Sequence, residues 1–331
     1  MPAKMTRTEL LVQATLMAEQ YRDDGYSLTL RQLYYALVSE GLIPNANESY
    51  KRLGDVLGAA RLAGDFEMDL VVDRGRSAGG SKQHECKLDV KTALTDAGKY
   101  VAAIPHWAIE VDRWFGQATY LSVWVEKEAL AGVFEPPCTD LGVGFFACKG
   151  YPSHSALWEW LQKCEQAIEA RRWGFVVDDQ GVRMEIEPIY EAVVLYFGDH
   201  DPDGWCIPRS AEETVNTFAR IHSLNVPLIR FERVALNMDQ ITQYNPPPFP
   251  AKDTSSRYES YVREHGIQDA WELDALKPNV LDQLIRDEID RYWDQSIYDN
   301  WQAHADANRA RLRLQMAEPG WAAKILNVNL P

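Results

Sequence analysis

The stretch Val193-Val194-Leu195-Tyr196-Phe197-Gly198-Asp199-His200-Asp201-Pro202-Asp203-Gly204 decides how this 331-residue chain is read. Its apolar run is unbroken up to Gly198, the pattern of a strand buried on both faces. Asp199 and Asp201 then stand two apart, so extended backbone points both side chains the same way. Pro202 and Gly204 force a turn directly after them. Two carboxylates that close repel when both are ionised, and one is driven to keep its proton unless a cation neutralises the pair. Mg²⁺ suits such a site, because it takes a few carboxylates and fills its shell with water and phosphate oxygens.

Upstream, Ser122-Val123-Trp124-Val125-Glu126-Lys127 reads as a second strand ending in a carboxylate. Ligands of open α/β sheets bind beyond the carboxyl ends of strands. Glu126, Asp199 and Asp201 could then hold one or two metal ions that clamp a phosphodiester. A bare Asp-x-Asp is more often a polar turn. Its place at the end of a buried strand, with a strand-end Glu upstream, makes this one specific. His200 reads as a turn residue, and Asp203 as either a turn residue or an outer partner of the acids.

Working outward, strand-like runs at 121–125, 143–147, 192–197 and 228–236 alternate with helical stretches near 127–133, 154–171 and 211–224. That alternation predicts an α/β layer with a mostly parallel sheet. Residues 244–250 hold four prolines and read as irregular. Residues 278–316 read as a helical C-terminal region. Lys252, Arg257 and the stretch Glu272-Leu273-Asp274-Ala275-Leu276 read as surface charges on a helix or, in the alternative, as the periphery of the metal-binding domain.

Ahead of a boundary segment at 105–117, helices are expected over 8–21, 31–39 and 50–62. Ser27 or Thr29 would cap the second, and Gly41 and Gly64 would end the second and third. A short strand at 66–72 and a Gly/Ser/Arg-rich loop at 73–82 follow. Three helices, a strand and a loop is the order of a winged-helix (CAP-like) domain. The third helix carries Lys51, Arg52 and Arg61 against a lone opposing Asp55, and the loop adds Arg74 and Arg76. Such a positive face suits a DNA groove, though an ordinary solvated helix face has the same composition. The expected division is a DNA-binding domain over 1–104 and a metal-binding domain over 105–331.

The net charge of −15 argues against a simple electrostatic DNA binder. The charge is uneven, however. Residues 1–104 carry 13 Lys and Arg against 14 Asp and Glu, so the acidity belongs almost wholly to the remainder. The five cysteines lack Cys-x-x-Cys spacing, which argues against zinc and a disulfide framework. No apolar run reaches the roughly 18 residues of a membrane span, and no secretory pattern opens the chain. A cytoplasmic protein without a membrane partner is the expectation.

Val125-Glu126-Lys127-Glu128-Ala129-Leu130, Lys149-Gly150-Tyr151-Pro152 and the Asp199–Gly204 segment together resemble the A subunit of topoisomerase VI and its relative, the meiotic double-strand-break transesterase. In that family the matching Glu and two Asp are the metal ligands of a Toprim domain, which implies Glu126, Asp199 and Asp201 here. Lys149 falls in the family's KGYP loop. Thr29-Leu30-Arg31-Gln32-Leu33-Tyr34-Tyr35 resembles the family's nucleophile motif, which implies Tyr35 as the attacking residue. Arg31, four residues earlier on the same helix face, could stabilise the phenolate or the attacked phosphate.

The resemblance implies a winged helix followed by a Toprim α/β domain, Mg²⁺, double-stranded DNA as substrate, a homodimer and a separate ATPase subunit. The implied activity is DNA strand breakage by tyrosine transesterification, an isomerase-class, topoisomerase-like reaction. The chain departs from the family in being compact and in carrying no nucleotide-binding GxxxxGK motif. Two other functions fit the sequence: a hydrolytic Toprim nuclease, in which water attacks and Tyr35 only packs, and a non-catalytic winged-helix DNA-binding protein.

Overall fold

The computed structural model describes residues 5–26, 28–72, 90–172, 175–177, 183–186 and 188–321. The chain divides into two compact units. The larger comprises Met1–Ser77, Thr119–Glu169 and Tyr190–Tyr292, and the smaller comprises Ala78–Ala118, Ala170–Ile189 and Trp293–Pro331.

The larger unit begins with helices α1 (Arg7–Asp23), α2 (Leu30–Ser39) and α3 (Asn47–Ala63). Thr29 caps α2 as expected. Its hydroxyl accepts from the Gln32 N–H, while the Gln32 side chain accepts from the Thr29 N–H. Gly64 ends α3 at φ +81°, a left-handed position that glycine takes without strain. Leu10, Leu33, Leu37, Leu53 and Leu57 are buried between the helices. Each such side chain contributes roughly 1.5–3 kcal/mol.

Residues 66–72 are not the expected strand. They form a 3₁₀ turn at Met68–Leu70, and Val71 makes a single parallel bridge to Leu28. Phe66, Leu70 and Val71 are the buried residues here. That spacing suits a turn lying on a helical core rather than a strand with alternating faces. The loop at 73–82, with Arg74 and Arg76, and the capping alternative Ser27 lie outside the described residues.

The sheet layer follows: β1 (Thr119–Val125), α4 (Ala131–Asp140), β2 (Gly144–Ala147), α5 (His154–Arg172), β3 (Glu191–Phe197), α6 (Cys206–Ile221) and β4 (Ile229–Ala235). The strands are parallel in the order β2-β1-β3-β4. The chain is therefore an α/β protein, as its alternation predicts. Apart from Tyr120 and Glu191, every residue of β1 and β3 is buried. Trp124 lies edge-on to Trp160 and Phe231, at 5.1 and 5.0 Å between ring centroids. The indole N–H groups of Trp124 and Trp160 both donate to the buried Ser122 hydroxyl.

Connections run outward in opposite directions from β1 and β3, so the strand order reverses between them. Val125 and Phe197, the last residues of these strands, lie side by side. Open sheets offer a crevice at such a reversal.

Beyond the sheet come α7 (Met238–Tyr244), the short antiparallel pair β5 (Phe249–Pro250) and β6 (Asp269–Ala270), α8 (Tyr258–His265) and α9 (Pro278–Asp290). The proline-rich 244–250 segment turns at Asn245, φ +47°, and leaves Pro250 on a sheet edge, where no N–H is required.

The smaller unit has a helix Val90–Trp107, an antiparallel hairpin of Phe175–Val177 with Arg183–Glu185, and a helix Gln295–Ala317. The first helix runs two residues past Pro105, into the expected boundary segment. Asp294 caps the last helix, so the helical stretch expected over 278–316 is two helices. Within this unit Gln117 exchanges hydrogen bonds with the Asp294 backbone (2.8 and 3.0 Å), and Arg309 Nε donates to the Ile109 carbonyl (2.8 Å). No described helix is long and apolar enough to cross a membrane.

Candidate active site

The acids predicted from the sequence meet in one cleft of about 370 Å³ within the larger unit. Glu126 leaves the end of β1, and Asp199 and Asp201 leave the end of β3, at the reversal point of the sheet. Glu126 Oε2 accepts from the Asp199 N–H (2.9 Å) and lies 3.4 Å from the Tyr196 hydroxyl. Asp201 Oδ1 accepts from the Gly204 N–H (2.6 Å), fixing the turn after the strand. Asp199 uses both oxygens: Oδ1 accepts from the Leu273 N–H (2.9 Å), and Oδ2 pairs with Lys127 Nζ (2.7 Å).

Two glycines make this approach possible. A Cβ on Gly198 would stand 2.7 Å from Glu126 Oε2, and one on Gly204 would stand 2.3 Å from the Asp199 carbonyl. The Gly150 N–H donates to the Glu126 carbonyl (3.1 Å), which ties the 149–152 loop to the same strand end. Arg233, half-buried among these turns, donates to the Gly198 and Gly204 carbonyls.

Of the three acids, only Asp199 pairs with a cation among the described residues. Burial, followed by Asp199 and Asp201 nearby, pushes Glu126 up to about 8. Burial also raises Asp199 to about 6, although Lys127 works against it. Lys127 itself is held above the usual ammonium value. Burial opposes its charge, but Asp199, Asp274 and Glu272 outweigh burial.

Among the described residues no group of three or more His, Cys, Asp or Glu forms a ready-made metal cage. Lys127 Nζ occupies Asp199 Oδ2, so a cation bound there would have to replace it. The donor chemistry still suits Mg²⁺. The three groups are hard carboxylates, and Glu126 Oε1 and Asp201 Oδ2 accept no hydrogen bond from described residues. A divalent cation would offset both the burial of Glu126 and the repulsion from Asp199 and Asp201 that together favour its protonated form.

The second half of the site comes from two carboxylates that the sequence reading placed on the surface. Residues 273–275 form a 3₁₀ turn whose backbone is docked on the acids by the Leu273 N–H. Asp274 is fully buried and pairs with Lys127 Nζ (2.9 Å) and Arg31 Nε (3.2 Å). Burial alone would raise it, but Lys127 and Arg31 hold it below the usual carboxylate value. Glu272 faces the cleft and pairs with Arg31 through both of its oxygens. Neither acid lies in a periodic pattern, and their partners are distant in sequence, so composition could not have found them.

Tyr35 donates its hydroxyl proton to Glu272 Oε2 (2.6 Å). The ring is buried, and Tyr35 is not among the residues lining the cleft, whereas Arg31 and Glu272 are. The expected activation of Tyr35 by Arg31 is not what this arrangement gives. Burial first, then the hydrogen bond to Glu272, pushes the phenol well above its usual value, and Arg31 offsets this only in part. Tyr34 is a core residue whose hydroxyl bonds to Asn45 Oδ1 (2.9 Å).

The basic residues separate. Lys51 is exposed. Arg52 donates to the Met5 carbonyl, and Arg61 to those of Met68 and Val71, so both brace their own unit. Lys149 is exposed and pairs with Glu128 (2.8 Å). Asp203 pairs with Arg257 (3.2 Å), whose guanidinium covers the Tyr151 ring at 4.8 Å. His200, expected in a polar turn, is fully buried and bonded to the Trp271 backbone in both directions. Burial lowers it to about 4, so it stays neutral near pH 7. Cys138, Cys148, Cys164 and Cys206 are free thiols, and the first three are buried.

Comparison with known protein families returns no match, and a search of curated proteins finds no relative.

Proposed function

We propose that this chain breaks DNA strands with Mg²⁺, by a transesterification in which Tyr35 attacks a backbone phosphate. The observation that carries this reading is the convergence of Glu126, Asp199 and Asp201 in one cleft where the strand order reverses, with only Asp199 of the three paired to a cation among the described residues. Mg²⁺ bound by Glu126, Asp201 and an Asp199 released from Lys127 would supply positive charge beside the phosphate and the departing 3′-oxygen. Arg31, facing the cleft, holds a phosphate oxygen. The bond from Tyr35 Oη to phosphorus forms and the bond from phosphorus to the 3′-oxygen breaks. The phenolic proton is lost to solvent water, and the departing 3′-oxygen takes one up to become the hydroxyl. The product is a 5′-phosphotyrosyl link and a free 3′-hydroxyl.

The sheet order and the strand-end acids support reading this layer as a Toprim domain. The three helices ahead of it support a winged-helix DNA-binding module, and exposed Lys51 on its third helix and exposed Lys149 in the 149–152 loop would follow the backbone. A second copy of the chain and a separate ATPase subunit are the partners that this reading implies.

One observation favours hydrolysis as the second reading: Tyr35 is buried and does not line the cleft. Incubation of the purified protein with supercoiled plasmid and Mg²⁺, stopped with SDS, separates the two. Breakage that EDTA abolishes, with mobility that changes on proteinase K treatment and is lost in Tyr35→Phe, is the expected result. Protein-free ends, made equally well by Tyr35→Phe, would mean that water attacks.

A further inference from the structure

The Glu272 carboxylate is held as a phosphate would be. Its two oxygens meet the Arg31 guanidinium side-on, the fork geometry that serves carboxylates and phosphates alike. The Tyr35 hydroxyl donates to Oε2 at 2.6 Å, and Lys127 Nζ stands 3.7 Å from the same oxygen. An arginine fork, a hydroxyl and an ammonium converge on one anion at the edge of the cleft, beside Glu126 and Asp199.

We propose that Arg31, Tyr35 and Lys127 form a phosphate subsite that the chain fills with its own Glu272, and that a nucleic-acid phosphate enters by displacing this carboxylate. The inference rests on the DNA-breaking reading and names how that site is closed at rest.

The neighbouring acid makes displacement feasible. The Asp274 side chain is 1% exposed and contacts both Arg31 and Lys127, so the two cations stay in place when Glu272 leaves. The Glu272 side chain is 13% exposed and borders the open cleft. Its backbone is fixed on either side: Trp271 bonds twice to His200, and the Leu273 N–H bonds to Asp199. Only the side chain has to swing. A phosphodiester presents two non-bridging oxygens to the same fork and would leave none of the three donors unpaired.

The test uses inorganic phosphate on the full chain in EDTA, followed by calorimetric titration, so it needs neither metal nor cleavage. Glu272→Gln is expected to bind phosphate at least about tenfold more tightly than the wild type, given the usual strength of hydrogen bonds to charged groups. Adding Arg31→Gln to that variant should remove the gain. Glu264→Gln, which deletes one negative charge on the exposed Arg209 pair, should leave affinity unchanged. Glu272→Asp keeps the charge but shortens the reach, and it should gain partially, which guards against a folding defect in the first variant. Equal phosphate affinity in the wild type and both Glu272 variants, or a gain as large in Glu264→Gln, would overturn the inference. The DNA-breaking reading fails separately, when plasmid stays intact with Mg²⁺ while the phosphate result holds.

Discussion

Two groups of carboxylates meet at one cleft, Asp274 lying buried behind it, and the chain treats them oppositely. Glu126, Asp199 and Asp201, at the ends of β1 and β3, are under-compensated, and burial raises the first two to about 8 and 6. Glu272 and Asp274, on the turn after β6, are saturated with Arg31 and Lys127, and Asp274 is held low. On the proposed reading the first group receives a cation, while the second holds Arg31 and Lys127 in place. Lys127 bridges them, contacting Asp199 on one side and Asp274 on the other. The lesson is that acid count alone does not define a metal site; what matters is which carboxylates already have a counter-charge.

The largest expected effect tests the saturated side. Asp274→Ala takes from Arg31 its buried partner and from Lys127 one of two, Asp199 remaining, and should cost about 3 kcal/mol of stability in urea unfolding. A loss under about 1 kcal/mol would mean that the pairing is loose. The hungry side should respond to crowding. Gly204→Ala puts a methyl group against the Asp199 carbonyl, and should cost about 1–3 kcal/mol and weaken any Mg²⁺-induced rise in Tm. An unchanged Mg²⁺ response would show that this turn does not shape the site.

The pH dependence should also separate the two groups. Glu126 is raised in the folded state to about 8, from an ordinary value near 4.5. The folded chain therefore binds the extra proton between these values, and Glu126 lowers stability as pH rises through that window. In EDTA the wild type should lose stability from pH 5 to 8 more steeply than Glu126→Gln, with chemical unfolding as the readout. Saturating Mg²⁺ should flatten the difference. Parallel curves in EDTA would remove the charge-deficit argument. The smallest effect lies far from both groups. Lys51→Ala on the exposed face of α3 should change stability by less than about 0.5 kcal/mol and reduce the salt dependence of DNA binding by about one phosphate contact.

The under-compensated side was legible in the sequence because its signal is local. An unbroken apolar run fixes a buried strand, and the residues at its end must emerge at the sheet edge. The caps at Thr29 and Gly64 were legible for the same reason. The saturated side was not, because Glu272 and Asp274 take their meaning from Arg31 and Lys127, more than a hundred residues away, and sit in a 3₁₀ turn without a period. The 66–72 segment misled in the opposite way. Its apolar residues alternate over a few positions, yet the chain packs them on helices as a turn. Arg52 and Arg61 looked like groove-facing cations because sequence shows charge and not the carbonyls that each side chain meets.

The account stands most directly on one comparison: cleavage of an end-labelled duplex by the wild type and by Asp201→Asn, each in saturating Mg²⁺. Asp201 has an oxygen to offer a cation and no partner among Arg31, Lys127 and Tyr35, so its loss should empty the hungry side without disturbing the saturated one. The account predicts cleavage by the wild type and a drop of at least about a hundredfold in the variant, the scale of losing one group that stabilises transition-state charge. Equal cleavage by the two proteins would contradict it.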